Sequence, residues 1–297
     1  MNANTTVQRG GRRFMQWLGA ATILAFFAGS ALAATGITNT KHNLSSSGPG
    51  NKFSGTDQIC VFCHTPHGSD GDNTHPPLWN RAMGTATYQT YDSLGTSTLN
   101  GQVLAVGSVS LACLSCHDGT QAMNNVINGP GSGLNPTSWS GGTWSVGGAV
   151  MGGGVTSGAL TGLVNLGGDL KDDHPIGVQY CGGGITATAG GAVNGTCVNT
   201  EFIGPGGSTT TSDGRTAALD GALINSKQAF WVDVDQAAGR GKGDIRLYSR
   251  TFTAGAGPSV ECGSCHDPHV ESLGNNNVAF MRVTATGSKI CLSCHVK

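Results

Sequence analysis

The chain has 297 residues, of which 49 are glycine, 11% are charged and 6% are aromatic. Because glycine makes up about 7% of an average protein and bulky apolar side chains are scarce here, such a chain cannot readily fill a large aliphatic core by itself. Its formal net charge of −1 leaves no basic excess, which argues against a nucleic-acid partner.

Residues 1–33 have the pattern of a secretory signal peptide. Arginines precede an apolar run over residues 17–28, and small residues at 31–33 are suited to cleavage. A membrane anchor is the alternative, but the run is shorter than the roughly 20 residues that a spanning helix needs. We therefore expect a secreted chain, residues 34–297, that functions outside the cytoplasm.

Eight of the ten cysteines fall in four identical C-x-x-C-H frames. This frame is the attachment signature of c-type haem, since two thiols at this spacing can form thioethers with the porphyrin vinyl groups and the next histidine can bind the iron. Zinc binding and redox-active dithiols are the alternatives, but neither explains why a histidine follows every pair. We expect four covalently bound c-type haems. The thioether cysteines are Cys60, Cys63, Cys113, Cys116, Cys262, Cys265, Cys291 and Cys294, and the proximal iron ligands are His64, His117, His266 and His295.

Residues 126–255 contain no attachment frame and are dense in glycine, serine and threonine. For Cys181 and Cys197, which remain outside the frames, we expect a structural disulfide in an oxidising compartment, with two free thiols as the alternative. Residues 229–235 and 244–252 are the best strand candidates, and the turn-rich stretch between them predicts a small hairpin.

The number of histidines matches two axial imidazoles per iron. Four irons need eight histidines and the sequence has nine, so one is spare, and we take this to be His75. Methionine is the alternative sixth ligand, and Met83, Met123, Met151 and Met281 are available for it. The predicted distal ligands are His42, His67, His174 and His269.

The first and third frames each carry an extra histidine after a proline, at residues 65–67 and 267–269. Because proline disfavours the helical conformation in the residue before it, the chain should turn away from its own haem, and the extra histidine can reach the next one. We therefore expect His67 to serve the second haem and His269 the fourth. His42 and His174 are then the candidates for the first and third haems.

These features predict mostly irregular structure with short helices at the frames and few strands, in which the haem stack forms the core. We expect one tetrahaem domain over residues 34–297. Within it, residues 34–125 carry the first haem pair, residues 126–255 form the glycine-rich segment, and residues 256–297 carry the second pair.

Six stretches, in their order, resemble a known family, the multihaem cytochromes that polymerise into extracellular filaments, and in particular its tetrahaem type. The resemblance implies a continuous stack of bis-histidine haems in which one distal histidine comes from the adjacent subunit. It assigns that role to His42, on the neighbour's third haem, and leaves His174 for the first haem. The stretches are "TGITNTKHNLSSSGPG", "QICVFCHTPHG", "PPLWNRA", "SLACLSCHDGTQAMN", "DDHPIG" and "CGSCHDPHVES".

Three functions compete on these grounds. The first is electron transfer by a self-assembling extracellular filament, which takes electrons from periplasmic or outer-membrane cytochromes and passes them to minerals, electrodes or cells. The second is a monomeric periplasmic electron shuttle in which His42 binds a haem of its own chain. The third is a multihaem reductase, which needs an iron with an open position. We expect no catalytic residues, because irons saturated by two imidazoles carry electrons and leave no site for substrate.

Overall fold

The computed structural model describes residue 1 and residues 36–70, 76–84, 86–130, 141–145, 154–156, 158–173, 175–206, 209–236, 239–270 and 280–296. The predicted signal peptide, the spare His75 and the predicted ligand His174 lie outside the described residues.

A six-stranded antiparallel sheet is the largest element. Its strand order is β5-β12-β11-β10-β9-β8, and all of its pairings are antiparallel. The strands are β5 (Val178–Gln179), β8 (Thr209–Thr210), β9 (Thr216–Ile224), β10 (Lys227–Asp233), β11 (Ile245–Phe252) and β12 (Gly255–Val260).

The sequence of β10 explains why the sheet centres on this strand. Its aromatic and β-branched residues Phe230, Trp231 and Val232 are consecutive and all buried, and these residue types favour a strand that is covered on both faces. The turn that leads into it has two residues with positive φ, Asn225 at 49° and Ser226 at 61°, as a two-residue hairpin of type I′ requires. Phe230 then stands opposite Leu247 of β11.

Six shorter strands form three separate two-stranded ladders: β1 (Lys52–Phe53) with β2 (Trp144–Ser145), β3 (Gly154–Thr156) with β4 (Ala159–Thr161), and β6 (Ile185–Ala187) with β7 (Val193–Gly195). Helices are short: α1 (Ser108–His117), α2 (Cys262–Cys265) and α3 (Lys289–Leu292). Single 3₁₀ turns occur at Ile37–Asn39, Cys60–Phe62, Tyr91–Leu94, Gly162–Val164, Tyr180–Gly182 and Thr286–Ser288.

The prediction of mostly irregular structure with few strands is wrong. The described residues contain twelve strands, and half of them belong to one curled antiparallel sheet. β9 and β12 are difficult to recognise as strands from the sequence. Their residues, "TAALDGALI" and "GAGPSV", are rich in alanine and glycine, which have low strand propensity. Their pairing with the more apolar β10 and β11 compensates for that preference.

The predicted hairpin over residues 229–235 and 244–252 is confirmed as β10 and β11. The predicted disulfide is also present, since Cys181 and Cys197 are bonded with their Cα atoms 5.4 Å apart.

Two hydrophobic clusters pack against attachment cysteines, one against Cys294 and the other against Cys63 and Cys116. The larger one packs on the sheet and includes Tyr180, Phe230 and Leu247, which are all fully buried. The smaller one joins Phe53 and Phe62 to the α1 region through Met123. Each such side chain contributes about 1.5–3 kcal/mol on burial, so the sheet supplies an apolar core made of side chains alone.

Within the part of the chain that the structure describes, no helix has both the length and the apolar character needed to cross a bilayer.

Candidate functional site

Two segments of the chain, residues 60–82 and 262–284, repeat one local structure in their described parts. In each, the frame histidine forms an isolated antiparallel bridge with a residue further along the chain. The backbone NH of the residue after that histidine donates a hydrogen bond to a carbonyl, at 2.9 Å in the first segment and 2.8 Å in the second. The bridges are His64 with Trp79 and His266 with Met281, and the hydrogen bonds are Thr65 N to Leu78 O and Asp267 N to Phe280 O.

The repeat extends to an unusual backbone conformation. Leu78 has a φ of 59° and its equivalent, Phe280, has a φ of 65°. Positive φ is uncommon for residues other than glycine and costs of order 1–3 kcal/mol. Its occurrence at equivalent positions indicates that the turn is part of the module and positions the histidine-bearing loop in both halves.

Each frame lies on a helical turn, which brings its two cysteines to the same side. The first frame is a 3₁₀ turn at Cys60–Phe62, and the third is the short helix α2. The second frame ends α1, and the fourth overlaps α3. Because residues three apart lie on one face of a helix, both thiols of a frame can reach one edge of a planar ligand.

The frames follow one another in space in their chain order. Between successive frames, the thiols lie close enough for their charges to interact, and one pair is hydrogen-bonded. The neighbouring pairs are Cys63 with Cys116, Cys113 with Cys262, and Cys265 with Cys291, and the hydrogen-bonded pair is Cys113 with Cys262. Groups attached at these frames would therefore form a connected row.

The geometry does not favour the zinc and dithiol alternatives. In the described residues, the side chains that converge tightly enough to hold a metal ion are three aspartates of the sheet region, and no cysteine or histidine is among them. Burial raises the pKa of the Cys63 thiol to about 12 and that of Cys265 to about 11. Zinc ligation and redox chemistry both need a thiolate, which burial disfavours at these two cysteines.

Four of the predicted iron ligands form two facing pairs. The ring centroids of His64 and His269 are 6.2 Å apart, with ring planes only 14° from parallel. The centroids of His42 and His117 are also 6.2 Å apart. This is the spacing expected for two imidazoles on one iron, roughly 6 Å, given metal–nitrogen bonds of about 2 Å and about 1 Å more to each ring centre.

Hydrogen bonds orient all four rings through the same nitrogen. In each, Nδ1 lies 2.7 to 3.3 Å from an oxygen that can accept its hydrogen. An Nδ1–H donated in this way leaves Nε2 as the free ligand atom. The acceptors are the carbonyl of Pro77 for His64, of Val164 for His117 and of Pro268 for His42, and the carboxylate of Asp267 for His269.

The surroundings of His42 also keep its ring neutral and fixed. Burial, reinforced by the nearby His117, lowers the pKa of His42 to about 4. The ring of Phe280 stacks on it with the centroids 4.0 Å apart. A neutral, oriented imidazole is the form that binds a metal. The residues present therefore fit bis-histidine haem at the first two frames.

The pairs differ from those expected from the sequence. His269 faces His64 of the first frame, whereas the sequence pointed to the fourth haem. His42 faces His117 of its own chain, whereas the resemblance pointed to a neighbour's third haem. His67, expected at the second haem, is exposed, and its backbone carbonyl is held by Asn128 at 2.8 Å. Spacing along the sequence cannot show that the loop after the third frame brings His269 to His64.

The neighbours of the other two frame histidines, His295 and His266, are an aromatic ring and a bridged backbone segment. The His295 ring lies 4.2 Å from that of Phe202, and His266 is exposed and bridged to Met281. Sequence reasoning missed Phe202 and Phe280, because isolated aromatic residues in loops give no signal of what they pack against.

A family model described as a doubled CXXCH motif matches residues 256–297, which contain the third and fourth frames. Among curated proteins, none matches the chain. The doubled motif indicates a multihaem c-type cytochrome that binds its haem covalently. Proteins of this kind generally transfer electrons rather than catalyse a reaction on a substrate.

Proposed function

We propose that this chain is a tetrahaem electron-transfer protein whose haems, attached at all four frames, form one continuous row. The observation that carries the proposal is that each frame lies near the next one along the chain, with the second and third joined by a hydrogen bond from Cys262 N to Ser110 Oγ at 3.1 Å. When bound, each haem supplies a one-electron couple. The chain itself supplies attachment, orientation and two axial imidazoles, so that the irons do not accept substrates.

The ligand geometry supports specific roles for the histidines. His64 and His269 would hold the first iron, and His117 and His42 the second. His266 and His295 would be the proximal ligands of the third and fourth irons. His67 and His174 remain the candidate distal ligands for these two.

Exposure supports entry and exit of electrons at the ends of the row. Cys60 of the first frame and Cys291 of the fourth are exposed, whereas the other six frame cysteines are half-buried. A haem edge attached at an exposed thiol lies near the surface. The two terminal haems would therefore exchange electrons with partners, and the two middle ones would connect them.

We further propose, on the family resemblance, that the protein is secreted and that copies of it assemble end to end into an extracellular filament. Its donors would be periplasmic or outer-membrane cytochromes, and its acceptors would be metal oxides, electrodes or other cells. The exposed His67 supports an assembly of this kind, because a ring at the surface is free to meet another chain.

One observation favours the second candidate, a monomeric periplasmic shuttle. His42 lies opposite His117 of the same chain, so the second iron does not need a ligand from a neighbour. In this candidate function the same four haems carry electrons by diffusion of the whole molecule.

The deciding experiment uses the protein matured with haem in its native secretion pathway. Haem content by the pyridine haemochrome assay should be four per chain, and the reduced protein should show low-spin spectra. Electron microscopy of the secreted fraction, with size-exclusion chromatography, then separates filaments from monomers. Fewer than four haems would contradict the tetrahaem proposal, and a monodisperse monomer would contradict the filament.

A further inference from the structure

The fourth frame is held by the same backbone arrangement as the first and the third, but by a segment from elsewhere in the chain. In each of these three frames, the histidine forms an isolated antiparallel bridge with a residue of another segment. The carbonyl of the second cysteine accepts a hydrogen bond of 2.8 or 2.9 Å from the backbone NH of the residue after the bridged one. The bridges are His64 with Trp79, His266 with Met281 and His295 with Phe202, and the hydrogen bonds are Asn80 N to Cys63 O, Arg282 N to Cys265 O and Ile203 N to Cys294 O.

We call residues 199–203, which hold the fourth frame, the strap. On the other side of the bridge, the strap carbonyl of Glu201 accepts the backbone NH of Val296 at 2.9 Å. The ring of Phe202 lies against the ring of His295, with the centroids 4.2 Å apart and the planes tilted by 47°. The strap therefore fixes both the backbone and the ring of the histidine in the fourth frame.

The strap differs from its counterparts in its distance along the chain. In the first and third frames, the bridged residue follows its own frame histidine after a short stretch of sequence. The strap instead lies far before residues 291–295 of the fourth frame. Because the entropy of closing a loop increases with the length of the loop, the contact between the strap and its frame needs more support than the two local ones.

The disulfide between Cys181 and Cys197 provides this support. Cys197 comes shortly before the strap, and the carbonyl of Cys181 accepts the backbone NH of Asn199, the first strap residue, at 2.9 Å. The hydroxyl of Tyr180 donates to the carbonyl of Ile203, the last strap residue, at 2.9 Å. Tyr180 and Cys181 are each 1% exposed. Both ends of the strap are therefore tied to one buried turn.

We propose that the strap is part of the fourth haem site, in which Phe202 positions the proximal histidine His295 and the Cys181–Cys197 disulfide holds Phe202 in place. The proposal rests on the tetrahaem function above. An imidazole binds iron well only when its ring is held in the right orientation. Breaking the disulfide should therefore weaken axial ligation at the fourth haem and leave the first and third haems, whose supporting segments are local, unchanged. Because Cys291 is exposed, the affected haem lies at an end of the row that would exchange electrons with partners.

The first test is hydrogen–deuterium exchange of the purified, fully haem-loaded protein. In Cys181→Ser/Cys197→Ser, the two amides that join the strap to the fourth frame, those of Ile203 and Val296, should exchange faster by on the order of a hundredfold, as expected when a loop of about 15 residues is opened. Tyr180→Phe is a milder variant, since it removes a single hydroxyl from the same turn. It should accelerate exchange of the same two amides roughly fivefold.

The control for the exchange test lies in the same molecule. The amides of Asn80 and Arg282 make the equivalent hydrogen bonds in the first and third frames, and their exchange should change far less. An equal acceleration at all three frames would mean that the disulfide stabilises the fold as a whole, and it would overturn the proposal.

The second test counts the haems that bind carbon monoxide when reduced. Phe202→Ala should add one such haem per chain. Phe202→Trp should add none, because it introduces the residue type that packs against His64 in the first frame. Phe252→Ala is the matched control and should also add none. Its phenylalanine is likewise buried on the sheet, at 4% exposed, but lies outside the cluster that packs against Cys294.

A variant that cannot attach the fourth haem, Cys291→Ser/Cys294→Ser, identifies which haem responds. When Phe202→Ala is added to it, no further carbon monoxide site should appear.

The outcomes separate this inference from the function on which it rests. Wild-type protein with fewer than four haems contradicts the function itself. Four haems with no additional carbon monoxide site in Phe202→Ala, or an additional site that persists without the fourth haem, overturns the inference alone. If Phe202→Ala or the double serine variant does not fold, amide exchange in Tyr180→Phe decides, since unchanged exchange at Ile203 and Val296 would also overturn the proposal.

Discussion

The ring of His42 offers the sharpest test of how the haems are held. In His42→Ala, the second iron loses the imidazole that faces His117 at 6.2 Å. Exactly one additional haem per chain should then become high-spin and bind carbon monoxide when reduced. The same change removes a 3.0 Å hydrogen bond to Pro268 and a stacking contact with Phe280. Each contributes about 1 kcal/mol, so the free energy of unfolding should also fall by about 2 kcal/mol.

The assay is a carbon monoxide difference spectrum of dilute, monomeric protein, titrated to give the number of reactive haems relative to wild type. His75→Ala is the matched control, because the count of axial ligands leaves His75 as the spare histidine. It should not add a carbon monoxide site. If His75→Ala opened a haem and His42→Ala did not, the assignment of ligands from the ring pairs would be refuted.

Three further predictions concern the sheet and its surroundings. Replacing Cys181 and Cys197 together by serine opens a loop with a sequence separation of 16 and should lower the free energy of unfolding by about 3 kcal/mol, as read from urea midpoints under oxidising conditions. Phe230→Ala, at a position that is 1% exposed in the larger cluster, should cost about 3–5 kcal/mol, whereas an unchanged midpoint would mean that the sheet is not the core. Burial raises the pKa of Asp244. Its folded form therefore holds a proton more tightly than the unfolded chain, so stability should fall as pH rises from about 4 through the raised pKa. Asp244→Asn should flatten that profile, and an equally steep profile in the variant would assign the dependence to another group.

Two kinds of prediction from the sequence had different outcomes. Local patterns were informative: the disulfide is present, and the hairpin of β10 and β11 lies where two strand-like stretches and a turn-rich link placed it. The fold class was wrong, because the wider sheet includes glycine- and alanine-rich strands whose own propensity is low. Pairing with the neighbouring strands β10 and β11 determines that they are strands.

The haem frames are encoded in five consecutive residues, because thioether attachment and proximal ligation need only one helical turn, and so the amino-acid sequence alone was sufficient to recognise them. Which histidine lies on the distal side of each iron depends on the tertiary structure. Tertiary structure brings His269 of the third frame to His64 of the first, and His42 near the mature start to His117. An axial pair joins atoms that are far apart along the chain, and spacing along a sequence contains no information about such distances.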